Sequence, residues 1–325
     1  MPFELAIEKN PGEVKEVTLG ATPDQGGTRS QTITIGGSTA LPFHFFEGKH
    51  PHRPAVAMEV FDKVPARYPR PLAEIYGDLL EKPGEMAKIC VDEYGAELIS
   101  VRLEGTHPEK GDKSPEEAAD IVKQVLESVS VPLIVTGHSH FAKNNEVMKK
   151  VCEVTAGENC LINYVETDNY KTIAAACIAY NHCLVAQSPI DVNLAKQLNI
   201  LLSDMNFPGE RIVMDPLTGT LGYGLEYTYS IMERIRIDGL GGDPMLAFPM
   251  LVTPGYETFN VKESRTPEED FPEWGNLADR GIYWETATAM SLLLAGAEIL
   301  ILYHPQSFKT VKQKISEMFE SREGD

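Results

Sequence analysis

The sequence has no Cys-x-x-Cys pair, no cluster of basic residues and no uninterrupted apolar run long enough to cross a bilayer. Its five cysteines, at 90, 152, 160, 177 and 183, are odd in number and scattered. That excludes a disulfide scaffold and gives this chain alone no zinc or iron–sulfur set, so they read as buried thiols in a reducing compartment. Positive charge is scarce: 29 Lys and Arg stand against 48 Asp and Glu, a formal net charge of −19. Such a balance argues against nucleic acid and anionic membrane surfaces as partners, since both need clustered positive charge. The opening segment MPFELAIEKNPGEVKE lacks a basic region followed by an apolar core, so no secretory signal is expected. The most apolar window, ATAMSLLLAGAEILILY at 287–303, is interrupted by Gly296, Ala297 and Glu298 and reads as a helix end followed by a strand. A soluble, cytoplasmic protein is expected. Also missing are G-x-S-x-G, H-E-x-x-H, an EF-hand loop and G-x-x-x-x-G-K-[ST].

What is present is an alternation. From about residue 55, short β-branched runs trade places with amphipathic segments. The strand candidates are 55–61, 97–104, 131–137, 160–166, 183–188, 211–215, 246–252 and 299–304. Nearly all are continuous apolar runs, as strands buried on both faces should be. The seventh is the weakest, because Pro249 has no N–H for an interior ladder. Eight strands alternating with helices predict an α/β fold, a (β/α)₈ TIM barrel over 54–325, with an open doubly wound sheet as the alternative.

Helices are predicted at 114–128 and 188–202, and near 85–94, 143–154, 170–180, 221–236, 282–295 and 306–320. Ser114, Pro115 and Glu117 spell an N-cap, a first-turn proline and a capping box; Ser188, Pro189 and Asp191 suggest a similar start. YGAELISVRL (94–103) and AGAEILILYH (295–304) both pass from a helix-ending Gly into a strand. Residues 1–53 stand apart as an N-terminal β-hairpin extension and connector. Two alternating segments, EVKEVTLGA and RSQTITIGG, flank a turn-rich TPDQGGT, and the hairpin reads as a plug for the bottom of the barrel.

A barrel of this kind places its chemistry in the loops after the strands' C-terminal ends. Those ends carry Glu59, Asp62, Glu104, His107, Thr136, His138, Asn163, Glu166, Asp168, Gln187, Asp215, Thr218 and His304, a polar and acidic set with few cations. TGHSH at 136–140 raises the question of a metal, but no third ligand is marked by spacing. Glu59, Glu104 and Glu166 form a possible acid–base set whose separations only the fold decides. In RIVMDPLTGTLGYGLEYTYS, Gly219, Gly222 and Gly224 are spaced G-x-x-G-x-G, the reverse of the dinucleotide order, with no lysine behind them. The spacing therefore argues against a phosphate cradle. The loop reads as a wall for a large ligand or partner, with Asp215, Thr218 and Thr220 beside the glycines.

LGATPDQGGTRSQTITIGG, LPFHFFEG, RPAVAMEVFD and VMDPLTGTLGYGLEYTYSIMERIR together resemble the small subunit of the corrinoid iron–sulfur protein, whose archaeal relative is the delta subunit of the acetyl-CoA decarbonylase/synthase complex. The resemblance runs over essentially the whole chain. It implies a TIM barrel in a heterodimer with a larger subunit that carries a [4Fe-4S] cluster and a cobalamin domain. It further implies methyl transfer from methyltetrahydrofolate, through a separate methyltransferase, to CO dehydrogenase/acetyl-CoA synthase in the reductive acetyl-CoA (Wood–Ljungdahl) pathway of anaerobic carbon dioxide fixation. On that reading the chain is a non-catalytic methyl-carrier subunit that caps the corrinoid (cobalamin) at the subunit interface. The expected contacts are His138, Gln187, Asp215, Thr218, Gly219, Thr220, Gly222 and Gly224. Two alternatives stay open: a pterin-dependent methyltransferase barrel using Asp215 and Asn163, and a purely structural dimer partner.

Overall fold

The computed structural model describes residues 6–320. Two short antiparallel strands come first, β1 (Val17–Leu19) and β2 (Ile33–Ile35). The barrel strands follow as β3 (Ala55–Phe61), β4 (Ile99–Arg102), β5 (Leu133–Thr136), β6 (Leu161–Val165), β7 (Cys183–Gln187), β8 (Ile212–Asp215), β9 (Met250–Val252) and β10 (Ala297–Leu302). They are parallel and close in the order β10-β3-β4-β5-β6-β7-β8-β9. The helices are α1 (Arg70–Tyr76), α2 (Pro83–Asp92), α3 (Pro115–Ser128), α4 (Phe141–Val154), α5 (Tyr170–Tyr180), α6 (Val192–Asp204), α7 (Leu225–Leu240), α8 (Pro254–Thr258), α9 (Leu277–Leu294) and α10 (Pro305–Glu320). Among the described residues no helix is long and apolar enough to cross a membrane, and all five cysteines are buried and free.

Every barrel strand expected from the alternation is present, with ends trimmed where the ladder stops. Pro249 shortens the seventh to Met250–Val252: its carbonyl accepts from the Met214 amide at 2.8 Å, but without an N–H the strand cannot extend backwards. The capping box of α3 forms in full, the Ser114 Oγ accepting from the Glu117 amide and the Glu117 carboxylate from the Ser114 amide. Three helix starts differ from the sequence reading. Helix α6 begins at Val192, because Asp191 and not Ser188 caps it, while the Ser188 amide is held by the Asp215 carbonyl at 2.9 Å. Helix α7 begins only at Leu225, because Gly222 and Gly224 take φ of 74° and 90°, outside the helical region. Helix α9 begins earlier, at Leu277, capped by the Asn276 side chain. The short α1 and α8 carry too few periodic residues to be seen in sequence.

Two apolar layers hold the barrel. The larger lies between strands and helices, with Met58, Val60, Val101, Leu133, Val135, Met214 and Leu300 facing Ala118, Val122, Val147 and Phe308 among others. The smaller is the interior: Ala57, Leu98, Ile134, Leu161, Val185, Val213, Leu251 and Ile299 cluster with Val17, Leu19 and Ile35 of the hairpin. The hairpin is thus a plug at the strands' N-terminal ends. Backbone bonds tie it down, from the Gly20 amide to the Asn159 carbonyl and from the Ser30 amide to the Ser130 carbonyl. Arg29 sinks beneath it. Its Nε meets Glu158 at 2.9 Å, while its Nη atoms donate to the carbonyls of Leu126, Val129 and Val131 at 3.0, 2.6 and 3.3 Å. The first two carbonyls belong to the end of α3, which has no intrahelical partners for them.

Candidate functional site

Above the apolar layers the barrel interior turns polar, with side chains from β3 to β8. Glu59 on β3 is fully buried and accepts from Ser100 Oγ and Arg102 Nε of β4, both at 2.7 Å. Ser100 Oγ lies 3.2 Å from Thr136 Oγ1 of β5, which in turn receives Asn163 Nδ2 of β6 at 3.2 Å. On β7 and β8, Gln187 Nε2 donates to Asp215 Oδ2 at 2.9 Å, and the Leu217 amide donates to Asp215 Oδ1 at 2.8 Å. These groups open into a cleft at the C-terminal mouth of about 980 Å³, counted out to solvent. Its walls add His107, His138, Tyr164, Tyr256 and Glu257, and the Arg102 guanidinium stacks on the Tyr256 ring at 4.2 Å.

The geometry of the histidines bears on the metal question raised by TGHSH. Gly137 turns β5 into α4 where no side chain fits: a Cβ there would lie 2.0 Å from Asn144 Oδ1, which accepts the His138 amide. The turn brings His107, His138 and His140 together, with ring centroids 5.1 to 6.5 Å apart. In each, Nδ1 accepts a backbone amide, from Glu109, His140 and Lys143 respectively. A neutral imidazole whose Nδ1 lone pair is engaged carries its proton on Nε2 and has no lone pair left there for a metal. Burial, reinforced by His107 and His140, pulls the His138 pKa down to about 4, which keeps that ring neutral. Among the described residues no group of three or more His, Cys, Asp or Glu is arranged to hold a metal ion.

The carboxylates divide by partner. Glu59 is paired with Arg102, and Glu104 with Lys110 at 2.5 Å, so neither stands free as an acid or base. Burial raises the pKa of Glu166. It also lifts Glu257 to about 7, with Arg102 opposing, and Asp215 to about 6, against the pull of Gln187 and Leu217. A buried carboxyl with a raised pKa holds its proton more tightly when folded than when unfolded, so its contribution to stability is lost as pH rises through the folded value. The stability of the wild type relative to Asp215→Asn should therefore increase by about 1.4 kcal/mol between pH 8 and pH 5. Urea unfolding of both proteins across that range reads the difference, and a gap that does not change with pH would refute the assignment.

Of the corrinoid contacts expected from sequence, His138, Gln187 and Asp215 line the cleft, beside Glu104, His107, Thr136 and Asn163 from the same set of strand ends. The structure places the others in the loop between β8 and α7. Thr218 and Thr220 are buried in the wall, Thr218 Oγ1 accepting the Thr253 amide and Thr220 Oγ1 bonding Thr258 and Thr288. Gly219 serves the loop's own closure, since a Cβ would lie 2.5 Å from the Gly224 backbone. Gly222 and Gly224 shape an exposed tip that carries Leu217, Leu221, Tyr223 and Tyr227 to solvent at 37, 41, 48 and 63% exposure. The Trp284 indole holds the tip through the Leu221 carbonyl. Sequence reasoning passed over Tyr256 and Arg102 as cleft residues. Nothing local marks either, because each depends on which strands become neighbours.

The fold and the polar mouth define the class as a (β/α)₈ barrel of the dihydropteroate synthase shape. A Coxiella burnetii dihydropteroate synthase in complex with pteroic acid superposes with a TM-score of 0.57 at 13% identity, covering 86% of this chain and 98% of that one. The Xanthomonas albilineans enzyme with 4-aminobenzoic acid gives 0.55 at 15%, covering 81% and 93%. The family is set by sequence. Residues 16–304 match the family described as CO dehydrogenase/acetyl-CoA synthase delta subunit. The acetyl-CoA decarbonylase/synthase complex subunit delta of Archaeoglobus fulgidus is 38% identical over 96% of this chain and 70% of its own length. That of Methanothermobacter thermautotrophicus is 37% identical over 98% and 78%. The chain belongs to the CO dehydrogenase/acetyl-CoA synthase delta subunit family.

Proposed function

We propose that this chain is the barrel subunit of a corrinoid iron–sulfur methyl carrier, covering a corrinoid held by a larger subunit that also carries a [4Fe-4S] cluster. A methyltransferase would load the methyl group from methyltetrahydrofolate, and acetyl-CoA synthase would receive it. The observation that carries this reading is the form of the mouth: a polar floor with amide and hydroxyl groups, beside an exposed apolar loop tip made of Leu217, Leu221, Tyr223 and Tyr227. That suits a wide, flat ligand fringed with carboxamides and brought in on another protein, and membership of a complex-subunit family agrees with it.

The corrinoid, when bound, supplies the cobalt that accepts and releases the methyl group. The residues of this chain do other work. His138 and Gln187 offer polar contacts at the floor, the apolar tip excludes water, and the Asp215–Gly224 loop gives the edge a surface to rest on. The paired state of Glu59 and Glu104 fits a carrier, which needs no acid–base dyad. Isolated, buried cysteines fit a cluster housed on the partner.

Anaerobic co-purification from native cells, with cobalt and iron analysis, tests the proposal. A stoichiometric larger chain with corrinoid absorbance and iron is expected, and a lone colourless chain would overturn it. Placing aspartate at both Leu221 and Tyr223 should weaken pairing at least ten-fold, or about 1.4 kcal/mol, while leaving the unfolding midpoint nearly unchanged, as exposed substitutions do. Pairing at wild-type strength would remove the loop tip from the interface.

A second reading, a pterin-dependent methyltransferase barrel, draws on Asn163 and Asp215 standing in the same cleft and on a barrel shape shared with a synthase bound to pteroic acid. Measurable methyltetrahydrofolate binding by the isolated chain would favour it. Pairing that leaves the cobalt spectrum unaltered would favour a purely structural role.

A further inference from the structure

The polar residues inside the barrel have a direction. Ser100 has one hydroxyl proton, and it goes to Glu59 Oε1 at 2.7 Å. The proton in the 3.2 Å contact between Ser100 Oγ and Thr136 Oγ1 must then be that of Thr136. Thr136, having spent its proton, can only accept from Asn163, so the amide nitrogen faces it at 3.2 Å. The chain runs one way around four consecutive strands, from the Asn163 NH₂ through two hydroxyls to the carboxylate that Arg102 pairs. A flipped Asn163 would set its carbonyl against an oxygen with no hydrogen to give.

The consequence lies at the other end of the amide. Asn163 is 1% exposed and lines the mouth cleft, and its Oδ1 has no hydrogen-bond partner. Two residues past Thr136, in the turn from β5 to α4, stands His138, whose Nδ1 accepts the His140 amide and whose buried Nε2 is likewise unpartnered. One orphaned acceptor on β6 and one orphaned donor just past the end of β5 therefore line the same cleft. Leaving either unmet in the bound state costs about 1–3 kcal/mol. The group that satisfies both offers an N–H and a C=O together, which is an amide or a lactam.

We propose that Glu59, Ser100 and Thr136 are positioning residues that lock Asn163 with its carbonyl available to the mouth, and that Asn163 and His138 receive an amide or lactam group of the ligand. This deepens the carrier reading and rests on it: the carboxamide fringe of a corrinoid is one source of such a group, and the lactam edge of a pterin is the other.

The test uses Thr136→Val, which keeps the shape and removes the relay, Thr136→Ser, which restores the hydroxyl, Asn163→Ala, and the Thr136→Val/Asn163→Ala double variant. Each full-length chain is titrated with the corrinoid-loaded large subunit and, separately, with methyltetrahydrofolate, and its thermal unfolding is recorded. In the arm where the wild type binds, Thr136→Val should weaken binding about ten-fold, the loss of one oriented hydrogen bond. Thr136→Ser should recover to within about two-fold, and the double variant should be no weaker than Asn163→Ala, because both changes remove the same contact. A general packing defect would instead add and would not be rescued by serine. Undiminished binding by Thr136→Val, or full additivity, overturns the relay and leaves the carrier reading standing. Wild-type binding in the pterin arm alone overturns the carrier reading while the variants still judge the relay. Binding in neither arm overturns both.

Discussion

Replacing Arg29 by methionine should destabilise the protein by about 3–5 kcal/mol, the cost of leaving a buried charge without its partner. Arg29 and Glu158 are 3% and 6% exposed, and the guanidinium also serves carbonyls at the end of α3 and the start of the α3–β5 loop. Methionine fills much of the volume but supplies no donor, so three carbonyls lose the guanidinium at once and the Glu158 carboxylate is left with the Thr28 amide but no countercharge. Lysine should recover little, because a single ammonium cannot fork to acceptors on several sides. The effect should be local first. Hydrogen exchange at the amides of Gly20 and Ser30, which bond the barrel floor, should accelerate before the barrel strands do. A shift below about 1 kcal/mol in urea unfolding would mean that the plug is held by its apolar face alone.

The second large effect is expected at Arg102→Met. Here the orphaned group is Glu59, whose side chain has no exposed surface and keeps Ser100 as a donor. The same range of about 3–5 kcal/mol applies. The double variant Arg102→Met/Glu59→Gln should recover most of the loss, since the buried charge then disappears with its partner. The two outcomes separate two accounts of Arg102. Recovery in the double variant assigns the cost to an unpaired carboxylate, whereas equal damage in single and double variants would assign it to lost stacking on Tyr256. Either way the mouth floor should suffer, because the relay to Asn163 ends on Glu59.

The sequence alone determined the barrel. Continuous apolar runs separated by capped amphipathic segments permit few arrangements that bury every strand on both faces, and the eight strands appeared where the runs lay. It also determined the capping box at Ser114 and the left-handed glycines at 95 and 296, because these depend on three or four adjacent residues. Family membership was legible in whole segments for the same reason. Glu104, His107, Thr136, His138, Asn163, Gln187 and Asp215 were legible as mouth residues, because a residue at or just past a strand's C-terminal end must face the mouth once the barrel is granted.

The tertiary structure decided what those residues do. Sequence could name Glu59, Thr136 and Asn163 but could not see that neighbouring strands link them, with Ser100 and Arg102, through shared hydrogen bonds, since the register between strands appears nowhere in local pattern. It marked Gly219, Gly222 and Gly224 as equals. The structure separates them: Gly219 is spent on the loop's own closure, while the left-handed Gly222 and Gly224 carry an apolar tip to solvent. A glycine leaves the same mark in a sequence whether its missing side chain makes room for its own loop or for something else, and only the atoms packed around it tell the two apart.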